Sequence, residues 1–317
     1  MRFFFYYFSL LILFFFLWVL LVYFQTSNPT NMSKWVNDVY EKKSAYAKSI
    51  DGKKIIVVAG SNTLFGLDSK KISNAFNIPV VNYGVNAGVF LPYILYKAKS
   101  IINNNDIVLL PLEYPMYNYN GIPNEQMIDT IFSRDFDAFF ELTLKEEFLM
   151  LWNITFNRLL KGYTDKNNIQ NFKGLYGAHN INKYGDQINT DDKYKNENMK
   201  KVINQYNANK YANNFNKNAL AWDYLSDFMQ WCKRKNVKVI FMPSTMMYFD
   251  DYKNDLKNKE FYINLPKFIQ NKKWIFIGNT YDYMYDKKYY FNTDFHLTKE
   301  GKNLRTNQMI KDLKNKL

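Results

Sequence analysis

The sequence predicts an α/β protein built on a parallel sheet with helices on both faces. Short apolar runs recur along the chain: "KIIVVAG", "IPVVNYG", "DIVLLPLEY", "VKVIFMPS" and "KWIFIGN". Such runs, bounded by turn residues, read as buried strands. Amphipathic stretches such as "DSKKISNAF" and "ALAWDYLSDFMQWCKRKN" lie between them and read as helices. Strand alternating with helix requires crossover connections, and these make a parallel sheet.

The first element stands apart from this pattern. Phe3–Phe24 is uncharged and long enough to cross a bilayer as a helix. Trp18 and several tyrosines within it suit membrane interfaces. The rival reading is a cleaved signal peptide, which needs a shorter apolar core and a small-x-small cleavage site. "VYFQTSNPT" offers no good one, so a retained anchor over 1–25 is expected. Only Arg2 precedes the span, whereas Lys34, Lys42 and Lys43 follow it, so loop charge does not fix the orientation. Residues 26–52 are polar and predict a stalk and a lead-in helix.

From residue 53 the α/β pattern begins. Strands are expected over 54–59, 79–83, 106–112, 237–242 and 274–277. Asp68 or Ser69 caps the first helix, and Pro92 fits the first turn of "LPYILYKAKSIINN". An insertion over about 120–215 interrupts the alternation. Its first part, 127–163, reads as long and amphipathic. Its second part, 164–201, is rich in Asn, Lys and Gly and reads as a surface lid. A helix capped by Thr298 closes the domain, which runs over 53–317.

Composition narrows the function. Cys232 is the only cysteine, so no intrachain disulfide forms. Two histidines, far apart, give no metal-ligand spacing, so no metal or other cofactor is expected. The net charge is +13, but the lysines are scattered. Neither a basic stripe nor a nucleic-acid-binding module is present, which argues against nucleic acid as partner.

Ligands of open parallel sheets bind beyond the carboxyl ends of the strands. There the sequence places Ser61 and Asn62, then Gly84, Asn86 and Gly88, then Glu113, then Ser244 and Thr245, and finally Asn292, Asp294 and His296. Ser61 is either a nucleophile or a turn residue. A serine nucleophile needs a base near neutral pH, and His296 is one of only two imidazoles. Asp294, two residues earlier, is close enough to orient it. Gly84 and Asn86 suit an oxyanion hole. Glu113 either binds substrate or caps a helix. His179 reads as an ordinary loop residue.

Three of these stretches together resemble a family. "VVAGSNTLFGLDS", "PVVNYGVNAG" and "YYFNTDFHLTKEGK" look like the first, second and last blocks of the SGNH/GDSL hydrolases. The resemblance covers roughly residues 53–115 and 218–317. It implies a flavodoxin-like five-stranded parallel sheet, a nucleophile at Ser61, an oxyanion donor at Gly84 and a base at His296. The chain departs from the family at three points. Gly60 stands where the family has Asp. "PLEYPMY" replaces Gly-x-Asn-Asp, so Asn86 would have to supply the missing amide. Thr293 stands three residues before His296, where the acid is usual, leaving Asp294 or a dyad.

The forms "GSNTLFGLDS" and "LPLEY" are similar to a membrane-anchored branch of SGNH-like proteins. That branch resembles accessory proteins of membrane-bound O-acyltransferases that acylate cell-surface polymers, including the D-alanyl transfer proteins of teichoic acid. The resemblance implies an acyltransferase or esterase in a bacterial cytoplasmic membrane. Its catalytic domain would be extracytoplasmic, its substrate an acylated glycan, glycolipid or polymer, and its partner a membrane-bound O-acyltransferase. The contrasting expectation is a catalytically silent scaffold that binds glycan or that partner.

Overall fold

A computed structural model describes residues 2–26, 28–165 and 174–317. These fall into two compact units: residues 1–37 with 121–174, and residues 38–120 with 175–317.

In chain order the helices are α1 (Arg2–Gln25), α2 (Asn31–Lys48), α3 (Ser61–Gly66), α4 (Ser69–Phe76), α5 (Phe90–Lys99), α6 (Glu125–Arg134), α7 (Leu144–Trp152) and α8 (Phe156–Asp165). Then follow α9 (Glu197–Gln205), α10 (Tyr211–Asn214), α11 (Ala221–Arg234), α12 (Asp251–Asn254), α13 (Leu256–Asn271) and α14 (Lys299–Leu313). The strands are β1 (Ile55–Val57), β2 (Val80–Asn82), β3 (Ile107–Leu110), β4 (Lys238–Phe241), β5 (Met246–Met247), β6 (Ile275–Phe276) and β7 (Met284–Tyr285).

The larger unit carries the five-stranded sheet, in the order β2-β1-β3-β4-β6, and every pairing is parallel. All five strands expected from the sequence are present. β1 is central: Ile55 lies opposite Val80 on one side and Ile107 on the other. Its three residues are fully buried, so the run is apolar throughout rather than alternating. Ile55, Val57, Ile107, Leu109 and Ile240 point to one face and pack with Ile72 of α4 and Met309 and Leu313 of α14. By strand alternation Ile56 and Val108 point to the other face. On the far side of the sheet, α11 packs on β4 and on α5. The chain leaves β1 for β2 on one side and returns to β3 on the other. In open α/β sheets such a reversal is where a crevice forms, here above the carboxyl ends of β1 and β3.

The lead-in helix expected within 26–52 is α2. Val39, Tyr40, Lys43 and Ala47 of α2 are buried, and Tyr40 packs edge-on against Tyr93 and beside Tyr83. The 127–163 stretch, expected to be amphipathic, is divided among the helices α6, α7 and α8. Asp135 ends α6, and a capping box pairing Thr143 with Glu146 starts α7. Of the lid expected over 164–201, residues 166–173 lie outside the described residues. The remainder is structural: Ile181, Asp186, Gln187 and Thr190 are buried, and backbone bonds join Tyr184 to Asn82 and Gln187 to Leu64. β5 and β7, a two-residue parallel pair, were not foreseen.

In the smaller unit, α1 is the one candidate span among the described residues. Phe3–Phe24 has a mean hydropathy of 2.5 and is long enough to cross a membrane; a signal sequence would meet the same criteria.

Candidate functional site

The site begins at the turn after β1. Gly60 is the N-cap of α3 and has no side chain to accept from the helix's first N–H groups. Glu113, just beyond β3, does this across the crevice. One carboxylate oxygen accepts from Gly60 N and the other from Asn62 N, each at 3.0 Å. Glu113 is 3 % exposed, so the carboxylate is consumed by the turn rather than offered to substrate. Residue 60 must be glycine, because a Cβ would lie 2.5 Å from Glu113 Oε1 and 2.7 Å from the Ala87 nitrogen.

Asn62 is likewise structural. It is fully buried, and its amide nitrogen donates to the Pro111 carbonyl. Its side-chain and backbone oxygens both accept from the Arg305 guanidinium at 2.7 Å. Arg305, in α14, is itself fully buried, so the closing helix clamps the turn.

Gly84 also serves the turn. A Cβ there would lie 1.7 Å from Thr63 Oγ1 and 2.5 Å from the Gly60 carbonyl, so only glycine permits this approach. Its N–H donates to Asn82 Oδ1 at 3.2 Å, and its carbonyl accepts from the Lys43 ammonium. The oxyanion role expected for Gly84 N–H therefore meets a donor already engaged. Asn82 in turn donates to the Thr63 carbonyl and to Asp186. Burial brings Lys43 down to about 7, opposed by the nearby charge of Asp186.

Amid these committed groups, Ser61 is free. It is half-buried at the first position of α3. Neither its hydroxyl nor its N–H makes a hydrogen bond among the described residues. Asn86 lies on the same rim and is half-buried. Its oxygen accepts from Gly88 N at 2.8 Å, which leaves its Nδ2 without a partner among the described residues.

His296 arrives from the loop before α14. Its ring stacks flat on Phe65, with centroids 4.1 Å apart and planes 4° apart. Phe65 lies four residues after Ser61, one turn along α3 and on the same face. The imidazole therefore packs on the same short helix that Ser61 heads. Nδ1 is 2.8 Å from Asn292 Oδ1, and Asn292 Nδ2 donates to the Tyr176 hydroxyl at 2.8 Å. With the Asn292 oxygen as acceptor, Nδ1 carries the proton and Nε2 presents its lone pair. Nε2 makes no hydrogen bond among the described residues. His296 is 5 % exposed, and burial pulls it down to about 3.

Asp294 does not orient His296. Its Oδ2 accepts from Asn209 Nδ2 at 2.6 Å, and its backbone carbonyl accepts from Met247 N. Burial raises the Asp294 carboxyl, with the Asn209 bond opposing. The physical reason is spacing: within this loop the residue four before His296 meets the ring, whereas the residue two before is drawn toward β5. Ser244 and Thr245 are buried; Ser244 bonds the Thr245 carbonyl, and Thr245 pairs with the Tyr290 hydroxyl. His179 is exposed on its loop.

Sequence reasoning missed Tyr176, Asn82 and Arg305. Tyr176 sits in a polar, aperiodic stretch that gave no signal. Asn82, at the end of a buried strand, was a legible anomaly: a polar residue there must be satisfied. In comparisons with protein-family models, with characterised proteins and with solved structures, nothing matches the chain.

Proposed function

We propose that the protein is a membrane-anchored serine esterase or acyltransferase of the SGNH type, acting on acylated glycan, glycolipid or polymer at the cell envelope. The observation that carries this reading is the stacking of His296 on Phe65, which brings an imidazole beside the turn headed by the unpartnered Ser61 hydroxyl. In this reading Ser61 Oγ attacks the ester carbonyl carbon. Its proton passes to His296 Nε2, while Asn292 holds the Nδ1–H tautomer, as an asparagine does in Cys-His-Asn sites. The Ser61 N–H and the Asn86 amide hold the oxyanion. The alcohol leaves with the proton from Nε2. The acyl group on Ser61 then passes to a sugar hydroxyl or to water. The parallel sheet and its order β2-β1-β3-β4-β6 support a flavodoxin-like assignment. Chain connectivity to α1 supports the anchor. A periplasm-active reporter fused at the C-terminus, inactive if that end is cytosolic, tests the extracytoplasmic placement.

A second reading is favoured by a separate observation. Among the described residues His296 has no anionic partner; burial holds it near 3, which makes its Nε2 a poor base, and Gly84 N–H is engaged. In that reading the same rim binds a glycan or a membrane-bound O-acyltransferase without turnover.

A fluorophosphonate probe separates the two. Full-length protein should be labelled at Ser61, and Ser61→Ala should abolish the label with unchanged circular dichroism. A folded wild-type sample that resists the probe defeats the enzyme reading.

A further inference from the structure

The smaller unit carries a second apolar surface besides α1. On α7, Leu144, Phe148 and Trp152 recur at four-residue spacing and are 84 %, 55 % and 71 % exposed. On α8, Phe156, Leu160 and Tyr163 repeat the pattern at 62 %, 50 % and 58 %. Both helices are therefore amphipathic with the apolar stripe facing outward, the reverse of a soluble domain. Asn157, Lys161 and Thr164 form the exposed polar side of α8.

The position of this surface along α1 identifies what covers it. The Trp18 indole donates to the Leu151 carbonyl at 3.4 Å. An apolar groove between the two helices is lined by Leu11, Phe14 and Phe15 of α1 and by Phe148 and Trp152 of α7. Leu11 lies near the middle of the Phe3–Phe24 stretch. A helix lying beside the second half of a membrane span occupies the same depth as that half. At nine and ten residues, α7 and α8 are about 14–15 Å long, too short to cross a ~30 Å hydrocarbon layer.

We infer that α7 and α8 are embedded in one leaflet of the bilayer that α1 crosses, as an in-plane amphipathic hairpin whose Leu144–Phe148–Trp152 and Phe156–Leu160–Tyr163 stripes contact acyl chains. Several polar groups along this segment have local partners, which lowers the cost of a hydrocarbon setting. Asn153 Nδ2 donates to the Leu149 carbonyl at 2.7 Å, Arg158 N donates to Thr155 Oγ1 at 3.2 Å, and the Thr143–Glu146 box closes the start of α7. Trp152 and Tyr163 then have the amphipathic rings typical of an interface. The inference rests on α1 crossing the membrane and not on serine chemistry.

Depth-resolved fluorescence tests it. In a Cys232→Ala background, single cysteines are placed at Leu11, Phe148, Trp152, Asn157 and Leu160 of the full chain. Each is labelled with bimane and reconstituted in phosphatidylcholine/phosphatidylglycerol nanodiscs. Labels at Phe148, Trp152 and Leu160 should lose emission to doxyl-labelled lipid and resist iodide, as the Leu11 label does, whereas the Asn157 label should respond to iodide. Iodide quenching at all three α7–α8 apolar positions overturns the inference. Protection from both quenchers also overturns it, since a protein partner or second copy then covers the face. Loss of lipid quenching at Leu11 itself shows instead that the span is wrong, and the inference falls with it. Three independent sites guard against one misfolded variant.

Discussion

The turn after β1 and the loop before α14 both reach the crevice, but they are held in opposite ways. Around Ser61 nearly every polar group is committed to another. Gly60 and Asn62 donate to Glu113, Asn62 accepts from Arg305, and Thr63 Oγ1 bonds the Gly60 carbonyl. Only the serine itself is left over. Around His296 the ring is held by packing on Phe65 and by the neutral Asn292 amide. One side is a turn held by buried hydrogen bonds to Glu113 and Arg305; the other is an imidazole held by stacking and one amide. The contrast separates residues that should matter to stability from those that should matter to chemistry.

The largest expected effect lies in chemistry. Ser61→Ala should remove ester turnover by roughly 10³-fold or more, the scale of losing a nucleophile. Because its hydroxyl makes no hydrogen bond among the described residues, the same change should shift unfolding by under about 0.5 kcal/mol. Glu113→Ala should do the reverse. It strands two buried N–H groups and should cost roughly 2–4 kcal/mol in denaturant unfolding, each stranded donor being worth about 1–3. Gly60→Ala adds a Cβ at 2.5 Å from Glu113 Oε1 and should cost about 1–3 kcal/mol. An equal stability loss from Ser61→Ala would erase the distinction between platform and nucleophile.

Smaller effects concern the base. Labelling of Ser61 requires neutral His296, so its rate should stay flat on acidification and fall only toward about pH 3. Asn292→Asp places a carboxylate at Nδ1. An adjacent opposite charge favours the imidazolium, so the acid limb should move up by roughly 1–3 pH units. Asp294→Asn should leave that limb in place, because Asp294 pairs with Asn209. A shift with Asp294→Asn but not with Asn292→Asp would reverse the assignment.

A further effect is on stability against pH. His296 takes a proton near 6.5 when unfolded and near 3 when folded. Between those values the unfolded state binds more protons, so wild-type stability should decline as pH falls through that window. The slope should be at most about 1.4 kcal/mol per pH unit. Asp294, raised by burial, acts with the opposite sign below its own folded value. His296→Gln should flatten the decline in pH-resolved thermal unfolding.

How much of this was legible follows from range. The five sheet strands were readable because each is a contiguous apolar run ending in turn residues, and the Asp68 and Thr298 caps were readable because a cap acts within three residues. Ser61 stood out because it directly follows the first apolar run, and His296 because the sequence has only two histidines. The partners were not. Glu113 caps a helix more than fifty residues earlier, Arg305 clamps a turn from the far end of the chain, and Tyr176 reaches Asn292 from a polar stretch without period. Such contacts depend on topology rather than local pattern. Asp294 was the natural choice of acid by type and nearness, but the loop brings the neutral Asn292 to the ring instead.

The central claim is that Ser61 and His296 act as one reactive pair across the crevice. The most direct test is the second-order rate of Ser61 modification by a fluorophosphonate in wild type and in His296→Gln, with unfolding followed in parallel. The account predicts a fall of about 10²-fold or more at neutral pH with the fold retained, the usual scale of a positioned base. Equal rates in the two proteins would contradict it.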